Sequence, residues 1–143
     1  MKHSSLFLLL LLLFTACHKP TTHYVIGVSQ CSEDEWRQQM NKEMLREILF
    51  YENTDIEIRT ARDNSNKQIE DIRYFIDKKV DLLVIAPNEA AIITPVVEKA
   101  FRQGIPVIIV DRKILSDQYT AYIGADNYAI GKAAGYYIGN RLG

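Results

Sequence analysis

Gly104-Ile105-Pro106-Val107-Ile108-Ile109-Val110-Asp111-Arg112 is the stretch that decides the fold. A glycine suited to a left-handed helix stop precedes a proline, which opens an extended segment. Four β-branched apolar residues follow, and two charged side chains close the run. Such a run reads as a strand buried on both faces, as in a parallel sheet. Working outward, similar runs lie at 24–29, 56–60, 82–86 and 122–124. Helical periodicity fills the gaps between the first four strands. Trp36, Met40, Met44 and Ile48, with Leu45 and Leu49 beside them, mark one stripe; Ile69, Ile72 and Ile76 mark a second; Ile92, Val96 and Ala100 mark a third. Strand starts about 25 to 30 residues apart match the length of one strand–helix unit. The pattern predicts an α/β fold, a doubly wound parallel sheet.

Boundary residues support these segments. Ser32-x-x-Glu35 and Ser65-x-x-Gln68 read as capping boxes for the first and second helices. Residues 117–120 join the fourth strand to a short fifth without a full helix. Residues 127–142 form a last helix, with Ile130, Ala134 and Ile138 on one stripe and Gly131, Gly135 and Gly139 on another. Lys132, Asn140 and Arg141 interrupt any membrane-dimer reading of those glycines. The spacing predicts a smooth face set closely against a neighbouring backbone.

The N-terminus is a targeting segment. Lys2 and His3 supply positive charge, an apolar run follows, and Thr15-Ala16 precede Cys17. The run is about half the roughly 20 residues needed to span a bilayer. Leu13-Phe14-Thr15-Ala16-Cys17 resembles a lipobox, in which Cys17 is acylated; Phe14 occupies a slot more often filled by leucine. The alternative is ordinary signal cleavage, with Cys17 left in the discarded peptide. The expected organisation is a signal peptide over 1–17, a linker over 18–23, one lobe over 24–125 and a further helix over 126–143.

Composition narrows the chemistry. Lys+Arg is 17 against Asp+Glu 18, a net charge of −1, so no basic excess exists for a nucleic-acid backbone. Cys31 is the one cysteine beyond the signal, which leaves no disulfide framework. His3, His18 and His23 all fall in the signal or its linker. A folded part without histidine disfavours general-base, triad and zinc chemistry. No glycine-rich loop follows the first strand, and Glu33, Asp34 and Glu35 there would repel a phosphate. Ala86-Pro87-Asn88 closes the third strand, where a receiver domain would carry an acid. An enzyme is not expected, and neither a cofactor nor a metal is implied.

Ligands of open parallel sheets sit beyond the carboxyl ends of the strands. The loops at 30–34, 62–66, 87–89, 111–113 and 125–127 are the candidates. Asp111 and Arg112 directly follow a strand, and a carboxylate beside a guanidinium fork suits adjacent ring hydroxyls; an ion pair capping the strand is the structural alternative. Trp36 can stack on a sugar face while Glu33 or Ser32 meets hydroxyls, or it can head the core stripe. Asp126 and Asn127 read as a helix cap close to the cleft. Cys31 reads as a small buried or half-buried residue.

Taken in order, the chain resembles the N-terminal half of a type I periplasmic binding protein of the ribose-binding kind. The matching stretches are Val25-Ile26-Gly27-Val28-Ser29, Val80-Asp81-Leu82-Leu83-Val84-Ile85-Ala86-Pro87, residues 104–112, and Ile123-Gly124-Ala125-Asp126-Asn127 with Gly131 and Ala134. The resemblance implies a sugar closed between two lobes by a hinge. It assigns Asp111 and Arg112 to hydroxyl binding and Trp36 to stacking, with Asn88 and Ala125 near contact positions. Ala86 and Ala125 replace polar residues found in some members, which leaves the sugar open. It also implies that the chain crosses to a second, truncated lobe near Asp126, so this chain alone is expected to bind sugar very weakly. Exported members feed transporters or serve as input domains of sensor kinases; cytoplasmic relatives are effector domains of lactose-repressor-like regulators. The expected location is the periplasm or cell envelope, with membrane anchoring through Cys17.

Overall fold

The computed structural model describes residues 22–142. Cys17, the signal segment and most of the linker lie outside the described residues. Five strands, β1 (Tyr24–Gln30), β2 (Thr54–Thr60), β3 (Leu82–Ile85), β4 (Val107–Val110) and β5 (Ala121–Ile123), form one sheet. Its order is β2-β1-β3-β4-β5, and every pairing is parallel. The helices are α1 (Glu35–Glu47, extended by a 3₁₀ turn over Ile48–Phe50), α2 (Ser65–Lys78), α3 (Ala90–Arg102) and α4 (Asn127–Arg141). The doubly wound α/β reading therefore holds. β2 begins two residues earlier than its apolar run, because Thr54 and Asp55 still pair with Tyr24 and Val25.

α2 and α3 build the core against one face of the sheet. Ile72, Phe75 and Ile76 of α2 and Ile93, Val96, Val97 and Ala100 of α3 enclose Leu83, Ile85, Val107 and Ile109. Burying each such side chain contributes about 1.5–3 kcal/mol. Gly27 is required here: a Cβ at that position would stand 2.7 Å from Phe75 Cδ1. The expected Ile92 stripe is shifted, since Ile92 is exposed and Ile93 takes the inward position.

The opposite face is less covered, which departs from the expectation of strands buried on both sides. Ile26, Leu82, Val84 and Ile108 are only half-buried. α1 stands over them alone, and a cavity of about 370 Å³ remains between Met44, Ile48, Tyr51 and the sheet residues Ile26, Ile56, Leu82 and Val84. The one buried residue of α1 is Arg37.

Helix ends differ from the expected capping boxes. Asp34, not Ser32, caps α1, and Asn64, not Ser65, caps α2; each side chain accepts from the backbone N–H three residues on. In both cases the Asp or Asn stands in extended backbone immediately before the first helical residue, where its side-chain oxygen reaches a free amide. α3 ends as predicted: Gly104 has φ of 85°, its N–H donates to Phe101 O, and Ile105 N–H donates to Ala100 O. α4 has no buried residue, and nothing among the described residues approaches its glycine face. The close backbone contact expected there is not formed.

Candidate functional site

The sheet order reverses between β1 and β3, so the helix after β1 and the helix after β3 leave toward opposite faces. A crevice opens at that point beyond the carboxyl ends of the strands. The five expected loops meet around it. Arg62 Nε donates to Glu33 Oε1 at 3.1 Å. Asn88 Nδ2 donates to Asp63 O at 3.2 Å and to Ser65 Oγ at 2.9 Å. Arg112 Nη1 donates to Asn88 O at 3.0 Å. Arg37 Nη2 donates to Asp111 Oδ2 at 2.8 Å.

Two recesses result. Ser32, Glu33, Asp34, Arg37, Arg62, Asp63 and Arg112 line one of about 450 Å³. Asp111, Lys113, Tyr122, Ala125, Asp126 and Tyr128 line the other. Both walls are polar and alternate in charge, a surface for hydroxyls and not for an apolar guest. Asp111 reaches both, through its bridge to Arg37 on one side and its own place in the second.

The backbone is strained where these loops turn. Arg62, Asp63 and Asp111 have φ of 52°, 62° and 68°, the left-handed region that side chains other than glycine avoid. Each costs on the order of 1–3 kcal/mol unless its surroundings over-determine it. They do so here. Asp63 N–H donates to Cys31 O at 2.7 Å, Asp111 N–H donates to Ile123 O at 2.9 Å, and the Tyr122 hydroxyl donates to Asp111 O at 2.8 Å. That hydroxyl also excludes any Cβ from Gly124.

Electrostatics reinforce the corner at the start of α1. Asp34 is held well below the usual carboxylate range, chiefly by the Ser32 hydroxyl, then by the Arg37 backbone N–H and guanidinium. Burial is the largest influence on Arg37 and works against its charge, but the hydrogen bond to Asp34 and the negative charges around it, Asp34 and Asp111 among them, together outweigh burial and raise its pKa.

Glu33, Asn88, Asp111 and Arg112 come together at the crevice. Trp36 is 54% exposed and so does not head the core stripe; Arg37 is the buried residue there, Met44 and Ile48 stand opposite the sheet, and the Arg37 Cζ lies 5.4 Å from the Trp36 ring centroid. Asp126 caps α4, accepting from Ala129 N–H at 2.9 Å. Cys31 is buried. His23, just before β1, has its Nε2 2.9 Å from Asp55 Oδ2, at the end of the strand remote from the crevice. Among the described residues no cluster fit to hold a metal is found. Sequence reasoning missed Arg37, Arg62 and Asp63. The polar loop 62–66 was visible, but an arginine on the inner side of α1 gave no signal.

A family model described as a periplasmic binding protein domain matches residues 26–143. The fructose-binding periplasmic domain of a hybrid two-component system is 61% identical, with a TM-score of 0.81 over 84% of this chain and 40% of that one. A Clostridium phytofermentans transporter solute-binding protein with bound β-D-glucose is 30% identical, with a TM-score of 0.72 over 82% and 37% of the two chains. The ribose import binding protein of Bacillus subtilis is 32% identical over 83 residues, 58% of this chain and 27% of that protein. The chain thus spans about a quarter of the curated relative and less than half of either structure.

Proposed function

This chain belongs to the periplasmic binding protein domain family, and on that premise we propose that it forms the first lobe of an extracytoplasmic monosaccharide receptor. The family is one of solute-binding proteins and not of enzymes. The carrying observation is the convergence of Asp111, Arg112, Asn88 and Glu33 on one polar crevice, with Trp36 exposed beside Arg37, which lines it. Carboxylate and guanidinium groups match vicinal hydroxyls, and the indole matches the apolar face of a sugar ring. Asp126 lines the second recess and adds an acceptor beside its capping role.

D-Fructose is the sugar we propose, because the 61% identical domain is named for it. That domain belongs to a hybrid two-component system, which favours a sensor-kinase input role for this chain. The curated ribose- and xylose-binding relatives favour the second reading, a receptor that feeds a transporter permease. α4, exposed all round, is read as the first helix of a second lobe that closes over the ligand. Export by the N-terminal segment and anchoring by an acyl group on Cys17 complete the proposal; mass spectrometry of the exported protein tests the lipid.

The deciding experiment is a thermal-shift screen of the full-length polypeptide against D-fructose, D-ribose, D-xylose and D-glucose. Stabilisation by D-fructose, lost in Asp111→Ala and in Arg112→Ala, is the expected result. Indifference to all four sugars would rule the proposal out.

A further inference from the structure

Arg37 is the one residue of α1 that the fold buries, at 7% exposure, although the sequence offered Trp36, Leu45 and Leu49 for that purpose. Its two terminal nitrogens are divided between two acids. Nη1 donates to Asp34 Oδ2 at 2.5 Å and Nη2 to Asp111 Oδ2 at 2.8 Å. Asp34 is itself fixed, because it caps α1 and accepts from the Ser32 hydroxyl. The guanidinium is therefore clamped from the α1 side and reaches over to a residue 74 positions later in the chain. The Asp111 backbone is fixed as well, by its own N–H to Ile123 O and by the Tyr122 hydroxyl on its carbonyl.

What remains of Asp111 is one oxygen. Oδ1 has no hydrogen-bond partner among the described residues, and the side chain is 38% exposed. Resting on the monosaccharide reading above, we propose that Arg37 is the positioning residue of the site. By holding Oδ2 it orients the carboxylate and leaves Oδ1 as the oxygen of Asp111 with no protein partner, and it fixes the distance between that acceptor and Trp36, the neighbour of Arg37 on α1. The arrangement selects for a sugar with one hydroxyl in line with Oδ1, not for any vicinal diol. A lysine cannot substitute: it presents one compact ammonium where a planar fork spans two carboxylates. Without the fork, Asp34 and Asp111 would face each other across the same half-buried corner without a shared cation.

The test is a double-mutant cycle in the full-length polypeptide, titrated with D-fructose, D-ribose, D-xylose and D-glucose by calorimetry. Arg37→Met is expected to weaken D-fructose binding about 10- to 100-fold, the usual loss of a charged hydrogen bond, and to narrow its preference over the other three sugars. In an Asp111→Asn background the same change should have no further effect on affinity, because Arg37 acts through Asp111, while its effect on Tm persists. Additive losses of affinity in the double variant would overturn the inference and leave the sugar reading intact. If the wild type bound none of the four sugars, both would fall. Arg37→Lys carries the same cycle should Arg37→Met not fold, with the same non-additivity expected.

Discussion

Gln68 and Asn88 are joined through the interior: Asn88 N–H donates to Gln68 Oε1 at 2.8 Å, while Gln68 Nε2 donates to Ala86 O at 2.8 Å. Gln68 is fully buried on α2, so a single amide side chain satisfies the backbone on both sides of Pro87 and sets the loop that follows β3. Asn88 in turn supplies the carbonyl that Arg112 holds. Gln68→Ala leaves a buried N–H and a buried C=O without partners, each worth about 1–3 kcal/mol. The expected loss is about 2–4 kcal/mol in urea denaturation, with increased hydrogen exchange at Asn88. An unchanged midpoint would show that the loop is set by other contacts.

Gly27 carries a steric prediction. Its missing Cβ is the space that the Phe75 ring fills, with 2.7 Å to Cδ1 and 2.8 Å to Cγ. The ring is fully buried within the core, so a move away from position 27 would have to displace its packed neighbours. Gly27→Ala should cost about 1–3 kcal/mol by overpacking. Adding Phe75→Leu should recover part of that loss instead of compounding it, and the sign of the coupling is the check.

The sheet was legible because β3 and β4 are unbroken runs of β-branched and aliphatic residues and β1 is dominated by them, and residues 104–112 alone display a helix stop, a strand and a loop. The site was legible only in outline. Asp111 and Arg112 could be found since they abut a strand end, a position visible in the sequence. Arg37 could not, because its burial depends on an acid 74 residues away, and helical periodicity treats a charge on an inner position as noise. Trp36 was drawn into the core stripe for the converse reason: a four-residue spacing drifts around a 3.6-residue helix, and the drift brings Arg37, not Trp36, onto the inner side at the first turn. The caps were displaced for a local reason, since several adjacent residues could each have served and only geometry distinguishes Asp34 from Ser32.

Trp36 gives a direct optical test. It is the only tryptophan, and it is 54% exposed. Trp36→Ala should therefore change stability by no more than about 0.5 kcal/mol. If the ring stacks on the sugar, the same change should weaken D-fructose binding about tenfold. Wild-type fluorescence should shift on titration with D-fructose. Full retention of affinity in the alanine variant would remove Trp36 from the site.

Acid should weaken the fold through carboxylates that it holds more readily ionised than the unfolded chain does. Asp34, Glu57 and Glu98 all ionise more readily in the fold than at their ordinary values of 3.8 for Asp and 4.5 for Glu. The causes are, in turn, the Ser32 hydroxyl, the Lys78 ammonium and the Ser116 hydroxyl. A carboxylate with a lowered folded pKa contributes stability above its unfolded pKa and loses it as pH falls toward the folded one. Stability should therefore be level from pH 7 to about 5 and decline from about pH 4.5 downward, as protons bind the unfolded chain first. Asp34→Asn should lower the urea midpoint at pH 6, since it removes the charge that Arg37 and the helix start both favour. Near pH 3 its midpoint should approach that of the wild type, because the wild-type advantage is by then partly lost. A constant gap between the two proteins from pH 6 to pH 3 would show that Asp34 acts through packing and not through its charge.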